Sequence, residues 1–161
     1  MKICVIIIFG LLTLPGFQVD TKSIDPHSIG WQGIVPLHST RADVQRLLGA
    51  GTGESGSSYY MKNLNVFFLY SRGDCKSGRG AWNVQPDTVT RITVYPKPAP
   101  MLRDLNLDRN KFEKKPGGHI AAIVWYVNDE DGLVIEVDED IGQVMGFYYW
   151  PQRKDNHLRC P

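Results

Sequence analysis

The side chains with most chemistry to offer in this 161-residue chain are Cys75, Cys160 and the four histidines His27, His38, His119 and His157. The histidines are dispersed, with no H-x-x-x-H or H-x-H spacing, and two cysteines without a clustered His or second Cys make a poor metal site. No cofactor and no metal is therefore expected. The sequence has no Gly-x-Ser-x-Gly or comparable nucleophile turn, so any hydrolysis would rest on residues that only the fold brings together. His119, which follows the string KKPGG at 114–118, is the residue round which such a His-centred site would be built.

Three further patterns carry a known chemistry elsewhere. Gly51, Gly53 and Gly56 spell G-x-G-x-x-G, but a helix precedes them and the strand-like Tyr59-Tyr60-Met61 follows, the reverse of what a dinucleotide cradle needs. Arg72-Gly73-Asp74 matches the integrin-recognition tripeptide and reads here as turn chemistry beside a cysteine. The acidic runs Asn128 to Asp131 and Asp138 to Asp140 gather hard oxygen ligands, without the spacing or the closing bidentate glutamate of a calcium loop. Both read as solvated turns.

Aromatic residues concentrate in strand-like segments. Neighbours on a strand point to opposite faces, so one face can carry a platform for a sugar or a peptide, with Tyr126, Tyr148 and Trp150 as its candidates. The competing use of these rings is core packing, since Ile123, Val124, Met145 and Phe147 would share their faces.

The element that must organise these residues begins at Thr40. Thr40 and Asp43 form a T-x-x-D capping pair, Val44, Leu47 and Leu48 make one apolar stripe, and Gly49 supplies the stop, so the spacing predicts a helix over 41–48. At about 1.5 Å per residue it is only ~12 Å long and must dock on something. Trp31, Ile34, Val35 and Leu37 precede it as an anchor. Alternation and turn signals predict strands over 58–62, 65–71, 89–95, 120–128, 133–137 and 143–150, with Asp131-Gly132 as a hairpin turn. Pro96, Pro98 and Pro100 forbid extension of the third strand. Leu102 and Leu105 suggest a short helical turn, Asp108 caps a further one reaching Phe112, and 114–118 reads as an exposed basic tip. The expected fold is α+β: an antiparallel sheet of about six strands with one or two short helices packed on one face.

Lys2 followed by the apolar run Ile3 to Leu14 and then Pro15-Gly16 reads as a secretory signal peptide over 1–19, too short for a membrane span. A flexible arm over 20–29 and a single α+β domain over 30–161 follow. The expected location is secreted or periplasmic, with anchoring by an uncleaved N-terminal segment as the alternative and no membrane insertion after cleavage. The third cysteine, Cys4, leaves with the leader, which pairs Cys75 with Cys160 by elimination in an oxidising compartment. Closing so long a loop stabilises by roughly 4–5 kcal/mol. The chain has 18 basic and 17 acidic residues, and Lys2 departs with the leader, so no basic excess points to nucleic acid or an anionic membrane.

The residues Gly33-Ile34, Thr40 to Val44 and Leu47 to Gly49 resemble the T-x-x-[DE]-V-x-x-L-L-G helix of BamE (SmpA/OmlA)-like modules, a likeness of about twenty positions. Over most of its length the chain is similar to short secreted bacterial proteins of unknown function that share a W-x-G-I-x-P-L-x-S-T-x-x-D-V opening. That resemblance implies no activity. The expectation is a non-enzymatic binding or protein-interaction module with a protein or glycan partner; the alternative is a small secreted hydrolase.

Overall fold

The computed structural model of the protein describes residues 28–53, 56–75, 81–118 and 122–161. The leader with Cys4, most of the N-terminal arm, His27 and His119 lie outside the described residues. Seven antiparallel strands form one sheet: β1 Ser58–Tyr60, β2 Leu64–Tyr70, β3 Val89–Pro96, β4 Glu113–Pro116, β5 Ile123–Asn128, β6 Leu133–Asp138 and β7 Gln143–Tyr149. Their order is β1-β2-β3-β7-β6-β5-β4.

The strand count is one more than the sequence suggests, and the extra strand is β4. Its sequence, EKKP, has no apolar alternation and ends in proline, which is why it reads as a basic tip. Among the described residues it pairs with β5 alone, Lys114 opposite Tyr126 and Lys115 opposite Trp125. Lysines and a terminal proline are what an edge strand tolerates, because one side of its backbone faces no neighbour and charge there blocks further pairing.

Register assigns the faces. Val66, Phe68, Ile92, Val94, Phe147, Tyr149, Leu133, Ile135, Val137 and Val124 lie on one side and form a single buried cluster. The helix α1, Arg41–Leu48, adds Val44 to it, and the preceding segment adds Trp31 and Ile34. A 3-10 turn over Leu102–Leu105 adds Leu102, with Leu105, Leu107 and Phe112 packed alongside. Burying a side chain of this size stabilises by roughly 1.5–3 kcal/mol, which is how an eight-residue helix persists.

Two bulges break the register. Leu69 pairs with Arg91 and Tyr70 with Val89, so Thr90 is passed over, and its hydroxyl donates to the Leu69 carbonyl. Glu136 pairs with Gly146 and Val137 with Val144, which leaves Met145 unpaired and exposed. Met145 therefore does not join the core.

Cys75 and Cys160 are joined by a disulfide, with Cα atoms 5.5 Å apart across 85 positions. Beside it the chain crosses back on itself: the Cys160 amide donates to the Ala81 carbonyl and the Asn83 amide to the Leu158 carbonyl. Residues Arg153–Leu158 form a 3-10 turn, a short structure that hydrophobic periodicity does not mark.

Candidate functional site

The second face of the sheet takes its surface from its own side chains. Tyr60, Phe67, Tyr95, Tyr148, Trp125 and Trp150 touch in succession, with ring centroids 5.8, 5.8, 6.4, 6.4 and 6.1 Å apart. From β1 to β5 the row crosses five strand-to-strand steps, roughly 24 Å. Gly146 keeps it level: a Cβ there would come within 3.0 Å of the Tyr95 ring.

Only β6 contributes a carboxylate where its neighbours contribute rings. Glu136 accepts the Tyr148 hydroxyl at 2.7 Å and the Trp125 indole N–H at 3.2 Å, which fixes the tilt of both rings. Burial pushes the Tyr148 phenol well above its ordinary range, and its hydrogen bonds with Tyr95 and Glu136 push it the same way. Tyr148 thus stays protonated and keeps donating to Glu136.

Tyr126 is not part of this row. It pairs with Ile135, on the core side of the sheet, and packs against the buried cluster. Tyr148 and Trp150 share the second face, and Trp125, a strand aromatic outside the three candidates, links them. Period-two alternation contains that answer only when register is known, because a single-residue slip exchanges the faces.

Two residues further along the strands, about 7 Å, the second face opens into a cleft of about 780 Å³. Leu69, Arg91 and Trp150 line it from the sheet, and Arg72, Trp82, Asp129, Arg153, Asn156 and Arg159 from the loops around. Its volume lies in the range of small-ligand sites. The Tyr70 ring lies on the core side of the sheet, stacked on Phe68; its phenol is pushed up to about 12, chiefly by burial, and it carries the Arg41 guanidinium 3.9 Å from its ring centroid.

Thr40 caps α1 through a reciprocal pair with Asp43, remote from the row and structural in role. His38 offers its Nε2 to Asp155 Oδ1 at 3.3 Å, and Asp155 is only 3% exposed. Buried Ser39 accepts the Val35 amide, and the Cys75 sulfur is in the disulfide. The Nδ1 of His157 faces the Lys154 carbonyl. The acidic run at 128–131 is occupied as a turn, the Asn128 amide donating to Asp131 and accepting the Asp131 backbone N–H. Among the described residues no three His, Cys, Asp or Glu side chains are grouped to hold a metal ion. Compared with protein-family models, curated proteins and solved structures, the chain has no match.

Proposed function

We propose that the protein is a non-enzymatic, extracytoplasmic glycan-binding module, secreted or periplasmic, that holds an extended saccharide along the second face of its sheet. The observation that carries this reading is the unbroken row of rings from Tyr60 to Trp150, with Glu136 set into it. Rings this large normally go to the core, and half-buried ones in a contiguous line are a contact surface. The row lies across a sheet face, where backbone groups are already paired, so a ligand meets ring faces, hydroxyls and a carboxylate. An extended peptide would instead seek the free backbone of a sheet edge. The leader-like N-terminus and the Cys75–Cys160 disulfide support an oxidising compartment.

Calorimetric titration with neutral and acidic oligosaccharides tests the reading. Binding is expected, with no cleavage of the ligand. Trp125→Ala should weaken it by about tenfold or more, as truncating a buried aromatic anchor does, while circular dichroism stays unchanged. Tyr148→Phe should weaken it less, since the ring remains and only the hydroxyl that donates to Glu136 is lost. Affinity indifferent to Trp125→Ala, or turnover of the saccharide, overturns it.

A further inference from the structure

The cleft beside the aromatic row concentrates positive charge. Four arginines, Arg72, Arg91, Arg153 and Arg159, line it against a single carboxylate, Asp129. Among the described residues Arg72, Arg91 and Arg159 make no ion pair, and Arg153 has one, a 3.6 Å contact between exposed groups with Glu130. Arg159 instead lies over the Trp82 ring, 5.1 Å from its centroid. Unpaired guanidinium groups gathered at one concave site repel one another. An anion placed among them relieves that repulsion and gains forked hydrogen bonds, which guanidinium geometry suits for carboxylate, sulfate and phosphate alike.

The cleft is built by the fold rather than by local sequence. Arg72 stands three residues before Cys75 and Arg159 one before Cys160, so the disulfide brings these two together. Arg91 comes from the β2–β3 bulge, and Arg153 is held where its amide donates to the Asp129 carbonyl at 3.0 Å. Trp150 belongs to both cleft and row, 6.1 Å from Trp125. A ligand on the row thus extends into the arginines without leaving an aromatic surface.

We infer that the saccharide recognised by this protein is anionic, and that Arg72, Arg91, Arg153 and Arg159 receive an oxyanion substituent of the sugar while the aromatic row holds the neighbouring units. This rests on the glycan reading above and names its ligand class. The substituent can be a uronate carboxylate or a sulfate, both of which complement the arginines.

The test is calorimetric titration with three matched pairs: an oligogalacturonate and its methyl ester, a hyaluronan oligosaccharide and its methyl ester, and a sulfated and a desulfated chondroitin oligosaccharide. At least one charged member is expected to bind at least tenfold more tightly than its neutral or less charged partner. Its affinity should fall several-fold as salt rises and the arginines are screened. Which pair discriminates identifies carboxylate or sulfate. Arg72→Gln and Arg91→Gln should bring the charged ligand down to the affinity of its partner, whereas Trp125→Ala should weaken both. Equal affinities within every pair overturn the inference and leave the glycan reading standing; no binding by any of the six overturns both. Because both arginines are exposed, loss of fold is not expected, and an unchanged melting transition in each variant confirms that the readout concerns binding.

Discussion

Three hydrogen bonds between Thr40 and Asp43 begin the only α-helix among the described residues: the Thr40 amide and hydroxyl both donate to the Asp43 carboxylate, and the Asp43 amide donates to the Thr40 hydroxyl. Those from Thr40, and then Arg46 from the following turn, hold the Asp43 carboxyl below its ordinary value. Thr40→Ala should cost about 1 kcal/mol at neutral pH, because it strips the acceptor from an otherwise orphan amide. The pH dependence has a definite sign. A carboxyl whose folded value is depressed stabilises fully above its unfolded value, near 4, and loses that contribution as pH falls through the folded one. Urea titrations of wild type and Thr40→Ala should therefore diverge most at pH 7 and narrow, without closing, as the pH drops below about 4, because only the bond from the Thr40 hydroxyl to the carboxylate titrates. A gap that is constant with pH would mean the Thr40 hydroxyl does not hold the carboxylate. The cap is legible in the sequence because its partners stand three residues apart. His38 and Asp155, 117 positions apart, form a pair that no local spacing announces.

At the level of elements, what local sequence reveals depends on how many neighbours an element has. Strands β2, β3, β5, β6 and β7 each carry apolar residues at alternate positions because a buried core demands it, and those are readable. Edge strand β4 answers to negative requirements, charge and a terminal proline, and resembles a loop. The β5–β6 turn lies between these cases: Asp131-Gly132 predicts a hairpin, but the sequence does not tell that the turn also seats another segment. Gly132 has φ 68°, and a Cβ on it would stand 2.2 Å from the Trp150 carbonyl oxygen. The Trp150 amide donates to the Gly132 carbonyl at 2.6 Å, so the two backbones are in direct contact. Gly132→Ala is thus penalised twice, by the left-handed backbone and by the clash, and should destabilise by about 2 kcal/mol or more. It should also move Trp150. An altered near-ultraviolet signal with unchanged far-ultraviolet circular dichroism would report that shift, and a variant as stable as wild type would contradict the close approach.

Across the whole molecule, the disulfide links fold to site. The cysteines are legible by elimination, yet the arginines they position are not, since Arg72, Arg91, Arg153 and Arg159 are scattered through more than half the chain and its near-zero net charge conceals their meeting. The signal that was available is adjacency, Arg72 and Arg159 each lying within three residues of a paired cysteine. The bridge closes 85 positions, for which chain entropy gives roughly 4–5 kcal/mol of stabilisation. Reduction should lower the denaturation midpoint accordingly, and under denaturing conditions a protein lacking residues 1–19 should show two alkylatable thiols only after reduction. Mass spectrometry of a non-reduced digest should return the Cys75 and Cys160 peptides joined. Function supplies a finer test than stability. The aromatic row is carried by paired strands, whereas the cleft draws Arg72 and Arg159 from segments that the bridge pins. Replacing both cysteines with alanine should therefore leave neutral-saccharide affinity within about twofold in the protein that remains folded, while the preference for an anionic partner collapses. If neutral and anionic ligands instead weaken in parallel, the bridge supports the sheet as a whole and the arginines are held by other contacts.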